Sequence, residues 1–133
     1  MSVSCGSAGS CAAAGQYANL SGAQDFVVLE RNGRWGKAIE IPGLQALNVG
    51  GGGEDVSVSC DRAGACAAAG DYSDRSGHSQ GFVAAERNGR WGKAIEIPGL
   101  GALNTGHDAG VQSLSCASPG SCAAGGGLRE TCG

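Results

Sequence analysis

The sequence is poor in aromatic residues, in proline and in clustered charge. Only 5% of its 133 residues are aromatic, so a core must be filled mainly by small side chains. The formal charge of −3 is spread along the chain and leaves no basic stripe, which argues against nucleic acid as a partner. No apolar run reaches the roughly 18 residues of a membrane-spanning helix, and no signal-peptide pattern is present. The sequence therefore indicates neither nucleic acid nor a membrane as a partner.

Small residues are what the sequence has in abundance. It contains 26 glycines, and its apolar fraction of 41% is too high for a disordered chain. We therefore expect a folded domain with frequent turns and closely approaching backbones. Met1 stands directly before the first predicted strand, and we expect the chain to be a mature segment or an excerpt of a longer repeat array.

One segment of the chain is written twice, at 30–44 and letter for letter again at 86–100. At its centre Asn32-Gly33 favours positive φ at both central positions of a type I′ turn, with strand-forming residues on either side. Pro42-Gly43 ends the second strand, because proline cannot donate to a sheet ladder. The segment is therefore predicted to form a β-hairpin, and a sheet module is the repeating unit.

The rest of the chain repeats with the period of this hairpin. The motif Ser-Val-Ser-Cys, or Ser-Leu-Ser-Cys, brings Cys5, Cys60 and Cys116, which lie 55 and then 56 residues apart. The extra residue falls between Tyr72 and Phe82, so a surface loop is predicted there. The repeats are placed at 1–56, 57–112 and 113–133, and the third is expected to stop after its second strand.

Each full repeat is predicted to hold four short antiparallel strands. They are the Ser-Val-Ser-Cys strand, the Cys-Ala-Ala-Ala-Gly strand, the Phe-Val strand and a strand from Arg-Trp to Pro, and a long connector follows them. This is the rhythm of a β-propeller blade, and small residues on both faces suit strands that are covered on both sides. A β-helix needs shorter coils, and a β-sandwich needs no such likeness between its halves. We therefore predict an all-β, β-propeller-like array of two full four-stranded antiparallel blades plus a hairpin.

Most of the 7 cysteines fall into Cys-x5-Cys pairs at the ends of tight hairpin loops. Cysteines that face each other across antiparallel strands lie within reach of a disulfide, so pairing inside each loop is predicted. The predicted pairs are Cys5–Cys11, Cys60–Cys66 and Cys116–Cys122. Zinc and free thiols are the alternatives. Zinc sites favour two residues between paired ligands, and His78 and His107 have no counterparts in the other repeats.

The disulfide interpretation places the protein in an oxidising compartment. We expect a secreted or extracytoplasmic protein whose export signal lies outside this segment. Cys132 is left over, and a free thiol, an intermolecular bridge and an accident of where the chain ends all stay open for it. No metal-ligand set and no cofactor motif is recognised.

Two sets of side chains are candidates for ligand binding, because each full repeat presents them. Aromatic rings can stack on sugars, and the same rings can instead anchor the packing between repeats. Arginines that face each other across the hairpin turn can hold an anion or an acidic sugar between them. Alternatively, the hairpin tip is simply solvated, and neighbouring glutamates compensate the positive charge of the arginines. The candidates are Trp35, Trp91, Tyr17 and Tyr72 in the first set and Arg31, Arg34, Arg87 and Arg90 in the second.

The order of these motifs also carries a resemblance. The run Val-Ser-Cys-x5-Cys-x-Ala-x-Gly, then Phe-Val, Asn-Gly-x-Trp and a connector rich in Leu, Asn and Gly, resembles the cysteine-paired repeats of secreted bacterial proteins, above all actinobacterial ones. In strand order it is similar to the Asp-box, or BNR-type, propellers, whose blades occur in sialidases, assembly factors and sugar-binding or sorting proteins. Where that family has Ser-x-Asp-x-Gly-x-Thr-Trp, this sequence has Glu-Arg-Asn-Gly-Arg-Trp at 30–35, so no catalytic residue of a sialidase can be placed.

Since no catalytic constellation is recognised, two classes of function are predicted ahead of an enzyme. The first is a non-catalytic extracellular recognition module, lectin-like, with repeated shallow sites for carbohydrate. The alternative is a protein-binding scaffold or a structural repeat array with no small-molecule ligand. Two blades and a hairpin cannot close a ring of four to eight blades, so we also expect head-to-tail association into a homo-oligomer, either a dimer or a trimer.

Overall fold

The computed structural model describes residues 1–53, 55–62, 64–118 and 120–129. Of the described residues, 60% lie in strands and 6% in helices, in antiparallel and mixed sheets, so the all-β prediction is confirmed. Within the described residues neither sheet closes on itself.

The first sheet corresponds to the first predicted repeat. Its strands follow one another along the chain: β1 (Ser2–Ser7), β2 (Ser10–Asn19), β3 (Gly22–Arg31), β4 (Arg34–Trp35) and β5 (Ile39–Glu40). The order across the sheet is β1-β2-β3-β4, and β5 also pairs with β3. The predicted fourth strand is thus present as two short pieces on the same edge, separated by residues 36–38. A single helical turn, α1 (Leu44–Leu47), lies in the connector that follows.

The second sheet holds the second repeat and the third hairpin together. Its strands are β6 (Val56–Cys60), β7 (Cys66–Ser73), β8 (Ser79–Arg87), β9 (Arg90–Trp91), β10 (Ile95–Glu96), β11 (Asp108–Ser118) and β12 (Ser121–Arg129), and the helical turn α2 (Leu100–Leu103) lies in the connector between β10 and β11. The order across the sheet is β12-β11-β8-β7-β6, and the hairpin joins the repeat through a parallel bridge between Asp108 and Ser79. β11 begins before position 113, because the hairpin extends back to this bridge.

The turn prediction is confirmed in both repeats. Asn32 and Gly33 have φ of 52° and 76°, and Asn88 and Gly89 have φ of 54° and 83°. Positive φ at both central positions is what a type I′ turn requires, and asparagine and glycine accept it with little strain. The predicted surface loop is also found, because β7 and β8 are joined by residues 74–78 whereas β2 and β3 are joined by two residues.

Serine hydroxyls fasten the first strand of each repeat to that of the next. Ser2 and Ser4 accept hydrogen bonds from the backbone N–H groups of Val58 (3.1 Å) and Cys60 (3.0 Å). Ser59, the repeat equivalent of Ser4, accepts one from the N–H of the third repeat's first cysteine at 3.0 Å. These N–H groups lie on the open edge of a first strand and would otherwise lack a protein partner. The serines of the Ser-x-Ser-Cys motif therefore join consecutive repeats through hydrogen bonds.

The core lies between the first and second repeats. Both repeats contribute to one buried cluster, made of Ala12, Ala14, Val27, Ile41, Leu44, Val56, Val58, Cys60, Cys66, Ala68, Tyr72, Phe82, Ala84 and Ala94. Residues 66–70 of β7 are buried on both faces, because this strand has the first repeat on one side and β11 on the other. Small side chains in that strand allow both neighbours to approach closely.

All of the predicted disulfides are present. Cys5–Cys11, Cys60–Cys66 and Cys116–Cys122 each join directly opposed residues of a hairpin, with Cα atoms 3.9 to 4.0 Å apart. Cys132 lies outside the described residues.

Candidate binding cleft

A polar cleft opens where the connector after the first repeat meets the second repeat and the third hairpin. It has a volume of about 670 Å³. Its walls come from the connector, the end of β7, the start of β8, the start of β11 and the end of β12. The lining residues are Gly52, Gly53, Asp55, Asp71, Ser73, Ser79, Asp108, Ala109, Gly110, Val111, Gln112, Gly127 and Leu128.

Two aspartates of the cleft fix the connector to β7. The Asp55 N–H donates to Asp71 Oδ1 at 2.9 Å, and the Asp71 N–H donates to the Asp55 carbonyl at 3.3 Å. This reciprocal pair continues the antiparallel pairing of β6 and β7 by one step. It sets the direction in which the Asp71 carboxylate faces the cleft.

Glycines form much of the cleft wall, and at Gly52, Gly53 and Gly110 neighbouring groups leave little room for a side chain, whereas a Cβ at Gly127 would meet open space. A Cβ at Gly52 would overlap the Ser73 hydroxyl, and a Cβ at Gly110 would lie 3.2 Å from Asp71 Cβ. Gly53 has φ of 151°, a conformation that other residues rarely adopt. The wall therefore presents backbone carbonyl and N–H groups to the cleft.

A buried carboxyl group lies close to Asp71, on the first repeat. Asp25 is 3% exposed, and burial raises its pKa to about 7, with a further contribution from the negative charge of Asp71. A hydrogen bond with the Gln16 side chain opposes this rise. Gln16 also donates from Nε2 to the carbonyl of Gly53 at 2.8 Å, so it links Asp25 to the connector.

Two buried asparagines hold the ends of the strands around the cleft, and the sequence reasoning missed them. Asn48 donates from Nδ2 to the Ala23 carbonyl (2.8 Å), and its Oδ1 accepts from the N–H of Ser73 (2.9 Å). Asn104, its equivalent, bonds in the same way to the Ser79 carbonyl and accepts from the N–H that opens β11. Their repetition as Leu-Asn in both connectors was the available signal.

Two histidines that do not occupy equivalent positions in the repeats also lie together in the structure. The rings of His78 and His107 are stacked, with centroids 3.8 Å apart and planes inclined by 12°. Asp74 Oδ2 lies 3.8 Å from His78 Nδ1. His107 has φ of 60°, and its carbonyl accepts from the N–H of Ser79 at the cleft. The loop that carries the extra residue of the second repeat therefore packs against the second connector.

The aromatic candidates differ between the two repeats. Tyr72 is 4% exposed, and burial, with Glu96 and Asp74 nearby, raises its pKa to about 12. Tyr17, its equivalent, is 38% exposed and donates to Glu40 at 3.2 Å. The structure therefore does not present the two tyrosines alike.

The tryptophans show the same asymmetry. Trp35 is 51% exposed, whereas Trp91 is half-buried and packs against the core between the repeats. The indole Nε1 of Trp91 is buried without a hydrogen-bond partner among the described residues. None of the four aromatic candidates lines the cleft.

Among the arginine candidates, Arg31 forms the best-defined contacts. Its Nη2 lies 3.1 Å from Oε1 of Glu86 in the second repeat and donates to the Gly64 carbonyl at 2.8 Å. Glu86 is 1% exposed and accepts two backbone N–H bonds as well, from Cys66 (3.0 Å) and Gly89 (2.7 Å). The partner of Arg31 is thus a buried glutamate of the next repeat.

The other arginine candidates lie at the hairpin tips. Arg34 and Arg90 are exposed and stand directly opposite Arg31 and Arg87 in their ladders, as predicted. A Cβ added at Gly120 of the third hairpin would overlap the Arg87 guanidinium, so Arg87 lies against that hairpin. None of these four arginines reaches the cleft.

No protein-family model, curated protein or solved structure matches the chain. Among the described residues, no group of three or more histidine, cysteine and acidic side chains is arranged to hold a metal ion. In the same part of the chain, no helix is long and apolar enough to cross a membrane.

Proposed function

We propose that the chain is a non-catalytic recognition module that binds carbohydrate in the polar cleft. The observation that supports this is the cleft itself, whose volume of about 670 Å³ lies within the range of ligand pockets. Sugar hydroxyls can donate to its carboxylates and carbonyls, and they can accept from its serines and backbone N–H groups.

The charge of the cleft narrows the class of sugar. Asp55, Asp71 and Asp108 line it, and no lysine, arginine or histidine is among its described lining residues. These carboxylates can accept hydrogen bonds from sugar hydroxyls and from the ammonium group of an amino sugar. The ligand class that we propose is therefore a neutral or amino-bearing saccharide. The aromatic positions take a packing or peripheral role in this proposal.

We further propose that the repeats are blades of an extracytoplasmic β-propeller that is completed by association of chains. The strand order of the first sheet and the serine bonds between successive first strands support the blade assignment. The disulfides fit an oxidising compartment. Light scattering after size exclusion tests the association, and a cooperatively folding monomer at micromolar concentration would contradict it.

A glycan array tests the carbohydrate proposal. We expect saturable binding to neutral or amino glycans, weakened at least tenfold by Asp108→Asn. Glu30→Gln is the matched control, because it removes a carboxylate from the opposite end of the first repeat and should leave binding unchanged. The proposal would be overturned if no glycan on the array bound, if acidic glycans were preferred, or if the two variants weakened binding equally. Release of shortened sugars would contradict the non-catalytic part of it.

A further inference from the structure

Both hairpin tips carry an asparagine that is followed by a glycine. Asn32-Gly33 and Asn88-Gly89 are exposed, and they lie in segments of identical sequence. Asparagine is one of the thermally labile residues, because the backbone nitrogen of the next residue can attack its side-chain amide. A following glycine has no Cβ and leaves that nitrogen accessible. Both tips therefore contain the groups that this reaction needs.

The reaction exchanges one amide bond for another. The deprotonated backbone nitrogen of the glycine attacks Cγ of the asparagine, and the new C–N bond closes a five-membered succinimide ring. The bond between Cγ and Nδ2 breaks, and ammonia leaves. Water then opens the ring at either carbonyl, which produces aspartate or isoaspartate. In isoaspartate the backbone runs through the side chain and is one methylene longer.

The attacking nitrogen is held differently at the two tips. The N–H of Gly33 donates to the carbonyl of Gly9 at 3.2 Å. The N–H of Gly89 donates instead to Oε1 of Glu86 at 2.7 Å. A hydrogen bond to a carboxylate is roughly twice as strong as one between neutral groups. The carboxylate also opposes the negative charge that develops on the nitrogen when its proton is lost.

Glu86 is itself fixed within the structure. It is 1% exposed, and it also accepts hydrogen bonds from Arg31 and from the N–H of Cys66. Its equivalent Glu30 is half-buried and makes no hydrogen bond or ion pair in the described part of the chain. The second tip is thus tied to a buried carboxylate, whereas the attacking nitrogen of the first tip is held by one bond between neutral groups. We therefore expect local opening, which frees the nitrogen, to occur more readily at the first tip.

We propose that Asn32 is a modification site of this protein, where spontaneous succinimide formation produces aspartate and isoaspartate, and that Glu86 protects Asn88 from the same reaction. Isoaspartate at position 32 lengthens the chain inside the type I′ turn and displaces the Gly33 N–H from Gly9. The new negative charge adjoins Arg31 in the chain, which joins the first repeat to the second.

Mass spectrometry of the whole chain after incubation in mildly alkaline buffer tests this proposal. Chymotrypsin separates the two sites, because the peptides that end at Trp35 and Trp91 have different sequences before the shared segment. We expect Asn32 to convert about tenfold faster than Asn88, which is the factor by which a hydrogen bond to a charged group exceeds a neutral one. Equal rates in the folded chain, or faster conversion of Asn88, would overturn the proposal.

The same assay in denaturant isolates the effect of the fold. Both asparagines should then convert at one rate, because their neighbours in sequence are identical. Unequal rates in denaturant would show that the fold is not the cause of the difference.

A pair of matched variants tests the role of the carboxylate. Glu86→Gln keeps the shape of the side chain but removes its charge, and it should bring the two rates to within about twofold while both stay below the rate in denaturant. Glu30→Gln is the control, because it makes the same change in the first repeat and should leave the ratio near ten. A ratio that stays near ten in Glu86→Gln, or that falls equally in both variants, would contradict the protection of Asn88 by Glu86.

Discussion

The most informative perturbation is the removal of the Glu86 side chain, because the chain contains its own control. Glu86 is buried and accepts three hydrogen bonds, from Arg31 and from the N–H groups of Cys66 and Gly89. Glu30 occupies the same place in an identical segment of the first repeat, but it is half-buried. Its side chain makes no hydrogen bond or ion pair in the described part of the chain.

The structure sets the size of the effect. Removing one partner of a buried ion pair costs about 3 to 5 kcal/mol. The Arg31 side chain is 34% exposed and can regain water, so the lower end of that range applies. We therefore expect Glu86→Ala to lower the free energy of unfolding by about 3 kcal/mol. In a chain of this size that corresponds to a fall in Tm of about 10 °C.

Denaturant unfolding followed by circular dichroism measures both variants under the same conditions. Glu30→Ala should change the free energy of unfolding by less than about 0.5 kcal/mol, because this half-buried side chain makes no hydrogen bond or ion pair in the described part of the chain. Arg31→Ala should be non-additive with Glu86→Ala, because the two remove the same contact. Equal destabilisation by Glu30→Ala and Glu86→Ala would refute the conclusion that the contact of Glu86 with Arg31 joins the two repeats.

Three further outcomes follow from the geometry. Replacing Cys60 and Cys66 together by alanine should lower the free energy of unfolding by roughly 2 to 2.5 kcal/mol without changing the far-ultraviolet spectrum; a different spectrum would contradict it. Burial raises the pKa of Asp25 from 3.8 to about 7, so the folded state holds this proton more tightly than the unfolded state. Its contribution to stability is therefore full below pH 3.8 and is lost as the pH rises towards 7. Asp25→Asn should flatten the decline of Tm between pH 4 and 7, and identical pH profiles would count against it. Ser59→Ala should cost about 1 kcal/mol, because Ser59 accepts a bond from the next repeat, whereas Ser115→Ala should cost less than half as much in the same unfolding assay.

Local signals in the sequence were sufficient for the hairpins, the turn type, the disulfides and the loop between β7 and β8. Each depends on residues that are close in sequence: Asn-Gly sets the turn, and opposed cysteines follow from the hairpin register. The register that places Cys60 opposite Cys66 is the same one that was inferred from spacing.

Local sequence signals do not predict the contacts between repeats. Trp35 and Trp91 lie in identical segments, yet one is exposed and the other packs on the core. The difference in burial arises from the neighbouring repeat, and the local sequence carries no information about that neighbour. The pairing of Arg31 with Glu86 spans 55 residues and was likewise not foreseen.

The cleft was missed for a related reason. Its walls come from five separate segments, and its polar groups include backbone atoms of glycines that carry no chemical signal in a sequence. The stacked His78 and His107 come from a loop and a connector of the second repeat, and residues without repeat counterparts carry no sequence signal for such a contact.

A backbone chemical-shift map recorded with a saccharide tests whether the polar cleft is the binding site. The largest amide shifts should fall on the glycines of the cleft wall, Gly52, Gly53, Gly110 and Gly127, and should saturate together. Shifts concentrated instead at Trp35, with the cleft glycines unmoved, would contradict binding in the cleft.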